Sequence, residues 1–230
     1  DSVTKLFYDR GWPGVNIEPI QESFEEIAKN RLRDTTIRAA IADYSGKGRI
    51  TNFIDTGLST LHQDYIKMHI KELDYKFNEE EVEITTLDKV FLEYGVKNID
   101  FLKIDVEGFE DRVLYGLNLT KFRPVVIVFE DTVPTRSEKI ENQKLYKYLI
   151  KNRYKKVFFD GLNSYFLSEE NLYLSHNFDI PVNIFDFHEF SLDAENDMER
   201  SKNIYFKKFS ISLNKKSDEI LALNSSIDFL

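Results

Sequence analysis

Residues 99–131 read IDFLKIDVEGFEDRVLYGLNLTKFRPVVIVFED and decide the fold of this chain. The stretch opens with a short apolar run that ends at Asp105 and turns at Gly108. Apolar side chains in residues 109–117 then recur at helical spacing, and a continuous β-branched run follows at residues 125–129. A strand that is apolar on both faces is usually buried in a parallel sheet. The stretch therefore predicts a right-handed strand–helix–strand crossover and an α/β fold.

Both predicted strands of this unit end in acidic residues. Asp105 closes the first strand, and Glu130 and Asp131 close the second. In open α/β sheets the ligand binds outside the carboxyl ends of the strands. These acids are therefore predicted to face a functional site.

Two strands nearer the start of the chain also end in acids. Residues 14–17 predict a strand that closes at Glu18 and Pro19, and residues 36–42 predict one that closes at Asp43. In nucleotide-binding βαβ units, an acid beyond the glycine-rich turn accepts hydrogen bonds from a ribose. Position therefore predicts that Glu18 binds a ribose. The strand and glycine loop that should precede it are expected before residue 1.

Composition excludes several classes of protein. The chain has 230 residues, a net charge of −9 and no cysteine. The negative charge argues against a protein that binds nucleic-acid backbones. The longest clean apolar run, residues 125–129, is far shorter than the roughly 18 residues of a membrane span. The absence of cysteine excludes disulfides and thiolate metal sites and fits the predicted cytoplasmic location.

The remaining segments complete a domain predicted to cover residues 1–190. Residues 49–54 predict an edge strand, and residues 56–60 form a small-residue loop of a kind that sometimes lines sites. Residues 157–167 predict an antiparallel hairpin at the end of a mostly parallel sheet. The pattern weakens over residues 191–230, which are predicted to be a linker or tail, with further domains possible in the parent chain.

Several segments resemble, in order along the chain, the FkbM-type S-adenosylmethionine-dependent methyltransferases. The string KIDVEGFE at residues 103–110 is the most specific of them. The others are DSVTKLFYDRGWPGVNIEP (1–19), the loop around Ser59 and Thr60, VEITTLDKVF (82–91), RPVVIVFED (123–131), DGLNSYFLS (160–168) and PVNIF (181–185). The resemblance implies a Rossmann-like class I methyltransferase fold, a three-layer sandwich that binds S-adenosylmethionine. The implied reaction is methyl transfer to oxygen on a sugar, a glycan or a small metabolite. The family's first motif, which holds the methionine part of the cofactor, would lie before Asp1.

On this interpretation the site residues are few. Cofactor binding is predicted for Glu18, Pro19, Asp43 and Asp105, and catalysis for Asp105 and Glu107. A sugar hydroxyl is a poor nucleophile, so a base would help it attack the sulfonium methyl group. The alternative for Glu107 is a cap on the helix that follows, because helix N-termini attract acids.

The same place also offers the ligands of a metal site. Asp105, Glu130 and Asp131 offer the hard oxygen ligands that Mg²⁺ prefers. Acids at strand ends are common, however, and no metal is predicted. The histidines have no metal-ligand spacing, and only His62 lies next to the small-residue loop.

Two other functions are compatible with these residues. The first is an enzyme that binds a nicotinamide cofactor or a nucleotide sugar on a similar sheet, since Glu18 would serve either ribose. The second is a non-catalytic module of a larger glycan-assembly protein. The loop expected before residue 1 would distinguish the first alternative, because G-x-G-x-x-G is typical of dinucleotide binding.

Overall fold

A computed structural model of the chain describes residues 4–54, 56–73, 75–132 and 143–179, and all of them fall in one compact unit. The helices are α1 Lys5–Asp9, α2 Gln21–Asn30, α3 Gln63–Leu73, α4 Leu87–Glu93, α5 Glu110–Tyr115, α6 Gln143–Lys151 and a 3₁₀ helix, Glu169–Phe178. The strands are β1 Val15–Ile17, β2 Thr35–Ile37, β3 Ala40–Ile41, β4 Gly46–Phe53, β5 Ser59–Thr60, β6 Phe77–Thr85, β7 Phe101–Ile104, β8 Val126–Glu130, β9 Tyr154–Phe159 and β10 Asn163–Ser168. Within these residues, each helix is too short or too polar to cross a bilayer.

The crossover unit predicted from residues 99–131 is confirmed. Strands β7 and β8 pair in parallel, with Ile104 opposite Phe129, and α5 lies between them in the chain. The hairpin is confirmed as well, because β9 and β10 pair antiparallel. Strand β10 also pairs antiparallel with β8, so the order of this sheet is β7-β8-β10-β9.

The other described strands do not continue this sheet by hydrogen bonds. Strands β1 and β2 form a separate parallel pair, and β3, β6, β4 and β5 form a third, mixed sheet in that order. The single, mostly parallel sheet predicted from sequence is therefore replaced by mixed and divided sheets. An α/β fold is confirmed, whereas the three-layer arrangement stays a prediction.

The strand predicted at residues 36–42 is divided in two. Its first part, β2, pairs with β1, and its last part, β3, pairs with β6 in another sheet. Ala39, Ala40 and Ala42 are buried at the change of partner. Their small side chains admit close backbone packing, and a side chain at Gly116 would have its Cβ 2.3 Å from the carbonyl oxygen of Ala42. An apolar run reports burial and does not report which strand it pairs with.

The edge strand predicted at residues 49–54 is longer and lies inside its sheet. Strand β4 pairs with β6 along its whole length, and Thr51 and Asn52 also pair with β5 on the other side. The first half of β4 carries charged side chains. Of these, Lys47 and Arg49 form ion pairs with glutamates of β6. Such exposed cross-strand charge pairs are common on any solvated face of a sheet, inside it as well as at its edge.

One large core supports the β7-β8-β10-β9 sheet. It contains Leu114 and Leu149, from α5 and α6, and Ile127 and Phe166, from β8 and β10, all with their side chains fully buried. Partly buried side chains of β1 and β2 pack against the same cluster. The paired ends of β7 and β8 are thus held on a rigid base, which is what a precise site requires. The predicted domain limit at residue 190 and the tail at 191–230 lie outside the described residues.

Candidate active site

A tight turn joins the end of β7 to the start of α5, and we call residues 105–108 the acid turn. Glu107 has φ of 52° and Gly108 has φ of 91°. A positive φ is uncommon for a residue with a side chain, and such conformations concentrate at functional sites. The turn therefore holds the Glu107 side chain in a direction that ordinary helix entry would not give it.

Glu110 makes the helix-terminal contacts that the sequence offered as an alternative role for Glu107. Its Oε1 accepts hydrogen bonds from the backbone N–H of Gly108, at 3.2 Å, and of Val106, at 3.4 Å. Glu110 is buried, so these bonds fix the turn from inside. The Glu107 carboxylate is left to point elsewhere.

Three carboxylates meet at the carboxyl ends of β7 and β8, and we call Asp105, Glu107 and Glu130 the acid cluster. One oxygen from each lies within 4.8 Å of the others. The parallel register explains this meeting, because Ile104 opposite Phe129 places the next residues of both strands side by side. Like charges this close repel one another.

Two members of the acid cluster, Glu107 and Glu130, have raised pKa values. Burial, followed by the charges of Glu130 and Asp105, raises the pKa of Glu107 to about 8. The pKa of Glu130 is also raised, first by burial and then by Asp105. Burial likewise raises the pKa of the neighbouring Glu110 to about 7. A carboxyl group that titrates near neutral pH suits proton transfer.

A second segment packs over the acid turn from β5 and α3. The Thr60 hydroxyl donates to the carbonyl oxygen of Glu107 at 2.9 Å and accepts from the N–H of His62 at 2.9 Å. The Tyr65 ring lies 4.8 Å from the His62 ring, centroid to centroid. The loop that ends in Thr60 therefore does contact the site, and His62 lies beside it.

Tyr65 covers Gly108 so closely that a side chain there would collide with it. A Cβ on Gly108 would lie 2.6 Å from the Tyr65 ring. Burial raises the pKa of Tyr65 to about 12, and the charges of Glu110, Glu107 and Glu130 add to the shift. The ring is thus part of the acid cluster's surroundings and shields it from water.

Gly108→Ala is expected to destabilise the protein by about 2–3 kcal/mol, because it combines a positive φ with the collision against Tyr65. Gly95→Ala is the matched control. Gly95 also has a positive φ, 66°, but nothing lies within 4 Å of a Cβ built there. That variant is expected to lose only about 1 kcal/mol. Urea denaturation of both variants measures the difference, and equal losses would contradict the close packing of Tyr65 on the turn.

Glu18 and Pro19 lie where the sequence predicts, at the end of β1. Glu18 is half-buried, and its Oε1 accepts from the N–H of Ile20 at 2.9 Å. Burial raises the pKa of Glu18, and the charge of Glu80 adds to that shift. Pro19, which is also half-buried, separates this carboxylate from α2. A carboxylate held by one oxygen retains acceptor capacity on the other.

Asp43 and Asp131 have partners of their own. Asp43 forms an ion pair with Arg112 of α5 at 2.9 Å. Asp131 is buried and accepts hydrogen bonds from the hydroxyl groups of Tyr146 and Ser164. Asp131 therefore lies in a different polar network from its neighbour Glu130, since successive strand residues point to opposite faces. The sequence suggested Asp105, Glu130 and Asp131 together as ligands for Mg²⁺. The strands do not bring these three side chains together.

Sequence reasoning missed three residues that shape the site, namely Lys103, Glu110 and Tyr65. Lys103 precedes Asp105 by two positions and therefore shares its face of β7, a signal present in the sequence. Glu110 resembles an ordinary first-turn acid. Nothing in the sequence brings Tyr65 to Gly108, because they are distant in the chain.

Comparison with known proteins places the chain in a family. A search among curated proteins and another among solved structures return no significant match. The family model described as the methyltransferase FkbM domain matches residues 1–158, more than half of the chain, and includes the acid turn and β8. The chain therefore belongs to the FkbM methyltransferase family.

Proposed function

We propose that residues 1–190 form a methyltransferase domain that moves a methyl group from S-adenosylmethionine to a hydroxyl oxygen of a sugar, a glycan or a small metabolite. The observation that carries the oxygen acceptor is the acid cluster, in which the pKa of Glu107 is raised to about 8. A base with that pKa matches the removal of a proton from a hydroxyl group near neutral pH. The net charge of −9 and the absence of cysteine support a cytoplasmic enzyme that does not bind nucleic acid.

The residues at the end of β1 fit the proposed cofactor. Glu18 is a half-buried carboxylate, and the Ile20 N–H orients it. Such a group is suited to accept hydrogen bonds from the two hydroxyls of a ribose. Bound S-adenosylmethionine would supply an electrophilic methyl group. In this proposal Glu18 and Pro19 hold its ribose, and Asp43 and Asp105 complete the binding edge.

In this proposal, residues of the acid turn bind and deprotonate the acceptor. Glu107 takes the hydroxyl proton, and Asp105, which is exposed, accepts a hydrogen bond from the acceptor and orients it. Tyr65 and the Thr60 loop exclude water from one side of the turn. Asp105 and Glu107 are thus the proposed catalytic residues, and orientation accounts for much of the expected acceleration.

Incubation with radiolabelled S-adenosylmethionine and a panel of sugars and small alcohols tests the proposed reaction. We expect transfer of label to the oxygen of at least one acceptor. Label on a nitrogen or carbon atom would overturn the oxygen assignment. Absence of both transfer and cofactor binding, in the full-length protein that carries these residues, would overturn the proposal as a whole.

Glu18→Ala is expected to weaken S-adenosylmethionine binding about tenfold, the effect of losing a charge-assisted hydrogen-bond pair. Glu22→Ala is the matched control, because Glu22 is an exposed acid in the first turn of α2. Its affinity should stay within about twofold of the parent. Isothermal titration calorimetry measures both. The ribose role of Glu18 fails if the two variants bind alike.

A further inference from the structure

Lys103 brings a positive charge into the acid cluster from the middle of β7. Its side chain is only 13% exposed, whereas that of Asp105, its ion-pair partner at 3.2 Å, is 53% exposed. Residues two apart on a strand share one face, and Lys103 lies opposite Val128, two positions before Glu130. A lysine this buried is unusual without partners.

A second contact holds the Lys103 amine from the other side. Its Nζ donates to Oδ1 of Asn163 at 2.7 Å, across a separation of 60 residues. The amide nitrogen of Asn163 in turn donates to Oδ2 of Asp160 at 3.1 Å. Asp160 also accepts from the N–H groups of Leu162 and Asn163. The turn between β9 and β10 therefore fixes the amide, and the amide fixes the lysine.

Lys103 carries a positive charge, whereas the groups that face Glu107 are mostly acids. Asp105 and Glu130 lie in the acid cluster, and Glu110 and Tyr65 pack beside it, so three of these four neighbours are carboxylic acids. The charge of Lys103 lowers the pKa of Glu107 and of Glu130, against the direction of those acids. A single countercharge in a poorly solvated cluster has a larger effect than one in water.

We propose that Lys103, clamped between Asp105 and Asn163, is a positioning residue that orients the Asp105 carboxylate and supplies the built-in countercharge of the acid cluster. The inference rests on the proposed function only for its effect on methyl transfer. Through this contact the turn between β9 and β10 supports the acid turn, although the two are far apart in the chain. Lys103 itself takes no proton from the acceptor.

Lys103→Met and Lys103→Arg, compared by NMR titration of the Glu107 carboxyl group, test the proposal. In Lys103→Met the Glu107 midpoint should rise by about one pH unit or more, because a nearby positive charge is lost. Lys103→Arg keeps the charge and should restore the midpoint to within a few tenths of a pH unit. Lys47→Met is the control, since Lys47 pairs with Glu81 on an exposed strand. An unchanged Glu107 midpoint in folded Lys103→Met would overturn the proposal.

Two further measurements keep the test decisive. Asn163→Ala keeps Lys103 but removes one of the two contacts that hold it. This variant replaces Lys103→Met in the test if Lys103→Met does not fold. The Glu107 midpoint of Asn163→Ala should also rise. If it does not, the clamp has no role.

Methyl transfer by Lys103→Met should fall about tenfold at pH 7.5 and recover at pH 9, as the shifted base ionises. The titration needs neither cofactor nor acceptor, so it tests Lys103 independently of methyl transfer. If the Glu107 midpoint shifts as expected but the parent protein transfers no methyl group, the proposed function is rejected and the role of Lys103 stands.

Discussion

Glu107→Gln is expected to reduce the rate of methyl transfer by about 100-fold or more at pH 8. Glutamine preserves the size of the side chain and its hydrogen-bonding oxygen, but it cannot take a proton. The affinity for S-adenosylmethionine should stay within about twofold, since Glu18 and Pro19 hold the cofactor in the proposed mechanism. The loss is therefore expected in kcat, and initial rates at saturating S-adenosylmethionine measure it.

The pH profile separates loss of a base from damage to the turn. In the parent protein the rate should rise with pH through a midpoint near 8, because burial and neighbouring acids raise the pKa of Glu107 to about 8. The residual rate of Glu107→Gln should lack that rise. Glu93→Gln, at an exposed acid near the end of α4, is the control and should behave like the parent. A Glu107→Gln enzyme with the parental rate and profile would exclude Glu107 as the base.

The free energy of unfolding is expected to fall by about 6 kcal/mol between pH 5 and pH 8. Burial raises the pKa of Glu107 to about 8 and of Glu110 to about 7, from an ordinary value of 4.5. Between those limits the folded protein holds these protons and the unfolded chain has released them. Stability therefore decreases as pH rises through this window, and the decrease ends once the folded groups have ionised.

Urea denaturation at unit steps from pH 5 to pH 8 measures this decrease. Glu107→Gln and Glu110→Gln should each flatten it, because each removes one group whose pKa differs between the folded and unfolded states. The lowered pKa values of Asp160 and Glu170 act in the opposite direction, but only below the ordinary range of carboxyl groups. Stability that is constant or increases from pH 5 to pH 8 would contradict the raised pKa values of Glu107 and Glu110 in the folded protein.

Local patterns in the sequence were sufficient for the central unit of the fold. The apolar run before Asp105, the helical spacing after Gly108 and the β-branched run at 125–129 each depend on near neighbours in the chain. They predicted two parallel strands with their carboxyl ends together, as β7 and β8 are. The KIDVEGFE string identified the family, which the match over residues 1–158 confirms.

The sequence did not indicate how the strands would divide among sheets. The run at 36–42 was predicted as one strand, yet its two parts pair with β1 and β6. Hydrophobic periodicity encodes which face of an element is buried, and it contains no information about the identity of the neighbour. The close packing of Gly116 on Ala42, next to this change of partner, is visible only in the folded chain.

By itself, the sequence determined that acids follow the strands of a crossover unit and that Asp105 and Glu107 lie on its turn. The tertiary structure alone decided what those acids can do. It placed Glu130 beside them, covered the turn with Tyr65 and brought Asn163 to Lys103. A carboxyl pKa depends on burial and on charges within a few ångströms. Since those neighbours come from distant parts of the chain, the protonation of Glu107 became apparent only in the folded structure.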